Sequence, residues 1–114
     1  MSLVNRYNLV VMQAAAVATG NGTVMPCISN GDGGMTTLTV QVVGITTATI
    51  TFEATVDGTN YVAIQFTNLT SGTAATTATA DGIYRATVLG LLDVRARVSA
   101  WTSGTITVTG VAVG

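Results

Sequence analysis

The carboxylates are the first candidates for chemistry, because two of them held about 5 to 9.5 Å apart can cleave a glycosidic bond. Glu53 and Asp57 have the same parity in an alternating segment, so they would share one face of a strand. Four residues at ~3.3 Å each place them about 13 Å apart, which is too far. Asp32, Asp81 and Asp93 lie beside turn glycines or a strand start, where aspartate usually bonds its own backbone. We therefore expect no carboxylate pair that acts as acid and base.

Other catalytic and metal-binding chemistry is limited by composition. The chain has no histidine, which removes Ser-His-Asp and Cys-His nucleophiles, two-histidine zinc sites and a histidine pH switch. Cys27 is the only cysteine, so it forms neither an intramolecular disulfide nor a thiolate cluster. The run 30–34 resembles the start of a calcium loop but lacks the later ligands. We expect a protein that is not an enzyme and has no metal or other cofactor.

Segment 93–101 carries the strongest candidates for binding. Its alternation places small apolar residues on one face and Arg95, Arg97 and Trp101 on the other. Arginine and tryptophan are enriched in protein interfaces, since each combines contact area with directional donors. An alternative interpretation is that the two arginines pair with Glu53 on a neighbouring strand and only solubilise an outer face. The sequence leaves both interpretations open.

Three further residues are candidate contacts. Tyr61 follows the turn 57–60, where a sugar-binding module can display a stacking ring, although a tyrosine there can also cap the core. Arg6 and Tyr7 lie together near the amino terminus. The four cations are all arginine and five carboxylates offset them, so we expect no nucleic-acid partner.

The elements that position these residues are predicted to be strands. Threonine alternates with β-branched and other apolar residues, and Gly-, Asn- and Asp-rich turns separate the alternating runs. The pattern predicts an all-β fold, an antiparallel β-sandwich of jelly-roll type with about eight strands. The predicted strands cover 9–18, 24–28, 36–43, 48–56, 61–67, 83–89, 93–101 and 104–113.

Two hairpins are predicted locally. One covers 48–67 and turns at Asp57-Gly58, and the other covers 93–113 and turns at Ser103-Gly104. Residues 69–81 lack large apolar side chains and are expected to be a surface loop or a weak edge strand. We expect one domain over 1–114, with N-terminal strands and Gly-rich loops in 1–35 and the core in 36–114.

The N-terminal segment loosely imitates a short secretory signal, with Arg6 followed by the mostly apolar run 9–18. Asn8 and Gln13 interrupt the apolar character, so we expect the segment to be retained as a strand. No segment has the ~20 consecutive apolar residues of a membrane-spanning helix, and no membrane partner is expected.

The low charge of the chain is its most informative bulk property. Only 8% of the residues are charged, against roughly 25% in soluble domains, and the net charge is −1. A folded monomer of this mass would expose roughly 5,800 Å², or about one charge for every 640 Å². Such a surface is poorly protected against association. We expect copies of the chain or another protein to cover much of it.

Several motifs, taken in order, resemble a known group of proteins. The segments are 44–56 (GITTATITFEATV), 57–64 (DGTNYVAI), 81–85 (DGIYR) and 94–104 (VRARVSAWTSG). Together they resemble small structural proteins of tailed bacteriophages over about residues 36–112. The resemblance implies a β-sandwich component of the virion that is a capsid decoration protein or a part of a tail or fibre, with no enzymatic residues.

The sequence and the resemblance together lead to one functional expectation. The chain is expected to be a capsid decoration (cement) protein, because a charge-poor, threonine-rich surface suits broad contact with a shell and with other copies. It would act as a homotrimer that binds the major capsid protein on the outer surface of the virion after synthesis in the host cytoplasm. Two alternatives stay open: a carbohydrate-binding module of a tail or fibre, and a tail or neck subunit.

Overall fold

The computed structural model describes residues 7–29 and 33–114, and all regular elements in these ranges are strands. Long strands carry most of the structure, and several strands are only two or three residues long. In chain order they are β1 (Tyr7–Ala16), β2 (Met25–Pro26), β3 (Ile28–Ser29), β4 (Gly33–Gly34), β5 (Thr37–Thr55), β6 (Val62–Ala63), β7 (Phe66–Asn68), β8 (Ala74–Ala75), β9 (Thr77–Ala78), β10 (Gly82–Thr87) and β11 (Asp93–Val113).

Two long strands form the centre of the fold. β5 and β11 pair antiparallel along their whole lengths, from Thr37 opposite Val113 to Thr55 opposite Asp93. The register shifts in the middle, where Gly44 has a φ of 93° and Gly104 a φ of 120°. These glycines allow both strands to bend at the same place, because other residues rarely adopt a positive φ. Each long strand therefore contributes one half to each of two layers.

The first layer contains β1, the C-terminal half of β11, the N-terminal half of β5, β10, β7 and β8. The second contains β2, the N-terminal half of β11, the C-terminal half of β5, β6 and β9. Strands that bend from one layer into the other are a feature of sandwiches with closed corners. The predicted all-β, antiparallel, sandwich-like fold is confirmed.

The core lies between the layers. Phe52 of the second layer stacks on Phe66 of the first, with ring centroids 4.2 Å apart, and is 5.6 Å from Tyr84. The core forms because threonine alternates with apolar residues, so that most even-numbered positions of both long strands are buried. The buried even-numbered positions are Leu38, Val40, Val42, Ala48, Ile50, Phe52, Ala54, Val94, Ala96, Val98, Ile106, Val108, Gly110 and Ala112.

The predicted hairpin over 93–113 is wrong. Residues 93–101 and 104–113 belong to one strand, and 36–43 and 48–56 also belong mainly to one strand, β5. The Ser103-Gly104 signal for a turn marks a bend instead: Gly104 lies opposite Ile45, next to the matching bend at Gly44. Pairing with β5, which is distant in the sequence, therefore determines that this segment forms a bend and not a turn.

The other local predictions agree better with the structure. The hairpin that turns at Asp57-Gly58 is confirmed, since Glu53 lies opposite Ala63 and Ala54 opposite Val62. The segment 69–81 is a loop with two short strands, β8 and β9, as expected. The N-terminal segment forms a strand that begins at Tyr7.

Asp81 corrects the expectation that the turn aspartates bond their own backbone. Its carboxylate accepts hydrogen bonds from the backbone N–H groups of Gly44, at 3.1 Å, and Ile45, at 2.8 Å. It therefore holds the bend of β5 from another part of the chain. Asp32, for which the same role was expected, lies outside the described residues.

Candidate functional site

Glu53 organises the outer side of the second layer, between Arg95 and Arg97 of β11. Arg95 donates from Nε to Oε1 of Glu53 at 2.8 Å. Arg97 donates from Nε to Oε1 at 3.2 Å and from Nη2 to Oε2 at 3.0 Å. Glu53 is only 8% exposed, so these bonds lie in a partly desolvated setting. The pairing of the two arginines with Glu53 is therefore present in the structure.

Tyr61 joins this group through its ring. The guanidinium carbon of Arg95 lies 3.8 Å from the centroid of the Tyr61 ring, which is a cation–π contact. Arg95 thus bridges Tyr61 and Glu53, and one face of the tyrosine is covered by the chain itself. We call Glu53, Tyr61, Arg95 and Arg97 the arginine cluster.

The arginine cluster shifts the ionisation of its carboxyl group. Burial alone would raise the pKa of Glu53, but hydrogen bonds from Arg97 and Arg95 and their positive charges outweigh burial. The pKa of Glu53 therefore lies below its usual range. The group is a charged structural unit above that pKa, and a proton donor or acceptor near neutral pH is not expected from it.

Trp101 lies apart from the arginine cluster. The register of β11 shifts between Val98 and Ala100, which places Trp101 opposite Ala48. The indole packs against the core and is half-buried, and its Nε1–H donates to the carbonyl of Gly104 at 3.0 Å. The expected single stripe of Arg95, Arg97 and Trp101 is thus divided by a bulge. The structure brings Tyr61 to the arginines instead.

A second surface lies on the outer side of the first layer. Tyr7, Leu9 and Val11 of β1 alternate with inward residues and are 56%, 58% and 46% exposed. We call the outward side chains of four adjacent strands the charge-poor face. Its members are Tyr7, Leu9, Val11, Thr37, Thr39, Gln41, Val43, Ile83, Arg85, Thr87, Thr107, Thr109, Val111 and Val113.

The charge-poor face carries a single charged side chain among its members. Arg85 donates from Nε to the hydroxyl of Thr39 at 3.1 Å, so this cation is already bound within the face. Sequence reasoning selected Tyr7 but missed Leu9, Val11 and the neighbouring strands. The alternation of Tyr7, Leu9 and Val11 was the available signal. Arg6, the other N-terminal candidate, lies outside the described residues.

Asp57 has a structural environment rather than a catalytic one. Its carboxylate accepts hydrogen bonds from the backbone N–H groups of Asn60 and Thr59, each at 2.8 Å, from the Asn60 side chain at 2.9 Å and from the Thr55 hydroxyl at 2.9 Å. These bonds, those from Asn60 and Thr59 above all, hold the pKa of Asp57 far below its usual range. Asp57 therefore fixes the turn between β5 and β6.

Two observations bear on metal binding and thiol reactivity in the described part of the chain. No group of three or more His, Cys, Asp or Glu residues within it could hold a metal ion. Cys27 is buried, and burial, with a smaller contribution from Asp93, raises the pKa of its thiol to about 11. Among residues 7–29 and 33–114, no helix is long and apolar enough to cross a membrane.

Two solved structures share this architecture. The crystal structure of the SPBc2 prophage-derived protein YomS has a TM-score of 0.85 and 22% identity, and the match covers 100% of this chain and 98% of YomS. The crystal structure of the PBSX exported protein XepA has a TM-score of 0.88 and 19% identity, and the match covers 100% of this chain and 40% of XepA. These values show a shared fold. A search of curated protein sequences gives no match.

The sequence itself also matches a protein family. The profile of the XepA family matches residues 6–112, which include both layers of the sandwich. The expected resemblance to phage proteins is confirmed at this coarse level, because YomS is named as a prophage-derived protein and the matching family carries the name of the other neighbour, XepA. The match covers nearly the whole length, and the chain therefore belongs to the XepA family.

Proposed function

We propose that this chain is a non-enzymatic bacteriophage structural protein that binds the assembled capsid as a decoration (cement) protein. It would act as a closed homo-oligomer, with a trimer favoured, and the major capsid protein would be its partner. The observation that carries the proposal is the charge-poor face, a broad outer surface of apolar and threonine side chains. Contiguous apolar patches of this kind mark interaction sites.

The size of the charge-poor face suits a contact that is repeated many times. Four strands about 4.8 Å apart and about seven residues long at ~3.3 Å each give roughly 400 Å² of flat area. A standard complex buries about 800 Å² on each partner, so one contact of this size would be weak. Several contacts made at once by one oligomer would strengthen each other through their high effective concentration.

The mechanism of stabilisation would be mass action. A protein that binds the assembled shell but not the free subunits stabilises the shell by RT ln(1 + [L]/Kd) at each site. In this proposal Tyr7, Leu9 and Val11 make the contact. The arginine cluster takes no part in this contact, because its arginines are already bound to Glu53.

A second candidate function is that of an exported phage protein acting away from the particle. The observation in its favour is the likeness to XepA, which is named as an exported protein of PBSX. The chain spans 40% of XepA, so its activity need not include everything that the longer protein does. A third candidate function is that of a tail or neck subunit, which would be recognised by the formation of sixfold rings.

Fractionation of a phage-producing culture separates these functions. We expect the chain to sediment with purified particles, in a fixed ratio to the major capsid protein. Leu9→Glu should release it, because a charge would enter the contact, while Thr70→Glu in an exposed loop should not. Circular dichroism of both variants checks that the fold is retained. Recovery of the wild-type chain only in the particle-free medium would reject decoration and favour export.

A further inference from the structure

The outer side of the sandwich has a groove beside Trp101, at the bend of the two long strands. The groove has a volume of about 320 Å³ and is lined by Trp101, Ala48, Ala100 and five threonines. This volume is at the lower end of the range for small-molecule sites, about 300 to 1,000 Å³. We propose that this groove, which we call the threonine groove, binds a neutral sugar residue of a glycan.

The hydroxyl groups of the threonine groove are available to a ligand. These threonines come from three separate segments: 46–49 of β5, residue 102 of β11 and residue 79, which follows β9. None of these hydroxyls bonds to another residue within the described chain. A threonine hydroxyl both donates and accepts, as sugar hydroxyls do. The five residues are Thr46, Thr47, Thr49, Thr79 and Thr102.

Trp101 provides the apolar wall that a sugar ring needs. The C–H groups on one face of a pyranose pack against aromatic rings, and an indole gives a large contact area with few rotatable bonds. The Nε1–H bond to Gly104 and the packing against the core fix the ring before a ligand arrives. A wall that is already fixed lowers the entropy that binding would otherwise cost.

The charge of the lining selects for a neutral ligand. No charged side chain is among the lining residues of the threonine groove. Asp81, which follows Thr79, has its carboxylate bound to the backbone of Gly44 and Ile45. An anionic sugar would therefore find no cation in the groove, whereas a neutral sugar would keep its hydrogen bonds. The groove shares no residue with the charge-poor face, so the inference does not depend on the proposed function.

Tryptophan fluorescence gives a direct test, because Trp101 is the only tryptophan in the chain. The purified protein is titrated with neutral hexoses, N-acetylhexosamines and their disaccharides, with sialic and uronic acids as the anionic comparison. We expect a saturable change with at least one neutral sugar and none with the acids at equal ionic strength. No saturable change with any neutral sugar, or binding of the acids alone, would overturn the inference.

Variants test whether the hydroxyls are the ligands of the sugar. Thr49→Val and Thr79→Val keep the shape of the side chain and remove the hydroxyl, so each should weaken binding about threefold to tenfold. Thr70→Val in an exposed loop is the matched control and should bind as the wild type does. Equal affinity in all three variants would reject the threonine groove as the site. These measurements use the free protein, so their outcome is separate from that of particle sedimentation.

Discussion

At the residue scale, one carboxylate determines how the outer side of the second layer is built. Glu53 accepts three hydrogen bonds from two arginines, and Arg95 adds a contact with Tyr61. The net charge of this group is positive, yet no guanidinium extends freely into solvent as an interface anchor would. The arginines that the sequence singled out for binding thus stabilise the sheet.

Replacing Glu53 by glutamine should lower the free energy of unfolding by about 1 to 3 kcal/mol, because two partly buried arginines would lose their charged acceptor. Asp93→Asn is the matched control, since the Asp93 side chain has no hydrogen bond or ion pair with the described residues. Urea unfolding followed by Trp101 fluorescence measures both. Equal losses in the two variants would contradict a specific role for Glu53.

The pH dependence of this effect follows from the lowered pKa of Glu53. A carboxyl group whose pKa falls on folding stabilises the native state above its unfolded pKa and loses that effect as pH falls through its folded pKa. The difference between wild type and Glu53→Gln should therefore be full near neutral pH and shrink in acid. The same urea series at several pH values measures it, and a difference that grows in acid would show the opposite sign.

At the element scale, the two long strands depend on a pair of facing bends. The glycines at the bends have positive φ, and a Cβ on Gly104 would lie 2.6 Å from the carbonyl oxygen of Gly44. Asp81 reinforces the bend through two backbone N–H groups. This arrangement places Trp101 beside the threonine groove and turns the two halves of the sheet onto one core.

Gly44→Ala should therefore destabilise the protein much more than an ordinary change of glycine. A Cβ at Gly44 would collide with the carbonyl oxygen of Thr105, so we expect a loss of about 3 kcal/mol or more. Gly90→Ala is the control: its φ is 89°, but no atom lies within 4 Å of the added Cβ, and the expected loss is about 1 kcal/mol. Thermal unfolding compares them, and similar melting temperatures would contradict a packed bend.

The sequence predicted the elements better than their connections. Alternating threonine and apolar residues report burial directly, so the strands and the inward positions followed from period two. The Thr-Ser-Gly signal at 102–104 could not distinguish a turn from a bend, because the choice depends on Gly44 in another strand. Another register shift, between Val98 and Ala100, separates Trp101 from Arg95 and Arg97. The Glu53 pairing was predictable as an alternative, but its geometry required the register of β5 and β11.

At the scale of the whole molecule, the low charge is distributed unevenly. The second layer carries Glu53, Asp93, Arg95 and Arg97 on its strands, whereas the charge-poor face carries only Arg85. One outer side thus carries most of the charged side chains of the described strands, and the other carries only one. This asymmetry is a more specific argument for assembly than the composition alone.

The free protein should be a closed oligomer, because a surface with so few charged side chains is poorly protected against association. Light scattering coupled to size-exclusion chromatography should give three times the mass of the chain. Thr70→Glu, in an exposed loop, should have the same mass as the wild type and serves as the control. A monomer that persists at high concentration would contradict the expected association.

The most direct test of the proposed function is the melting temperature of the capsid shell. Shells lacking the chain are measured alone, with the wild-type protein and with the Leu9→Glu variant, at equal protein concentration. The proposal predicts that the wild type raises the melting temperature in a saturable, concentration-dependent way and that Leu9→Glu does so much less. The same melting temperature with and without the wild-type protein would contradict the proposal that this chain stabilises a phage shell.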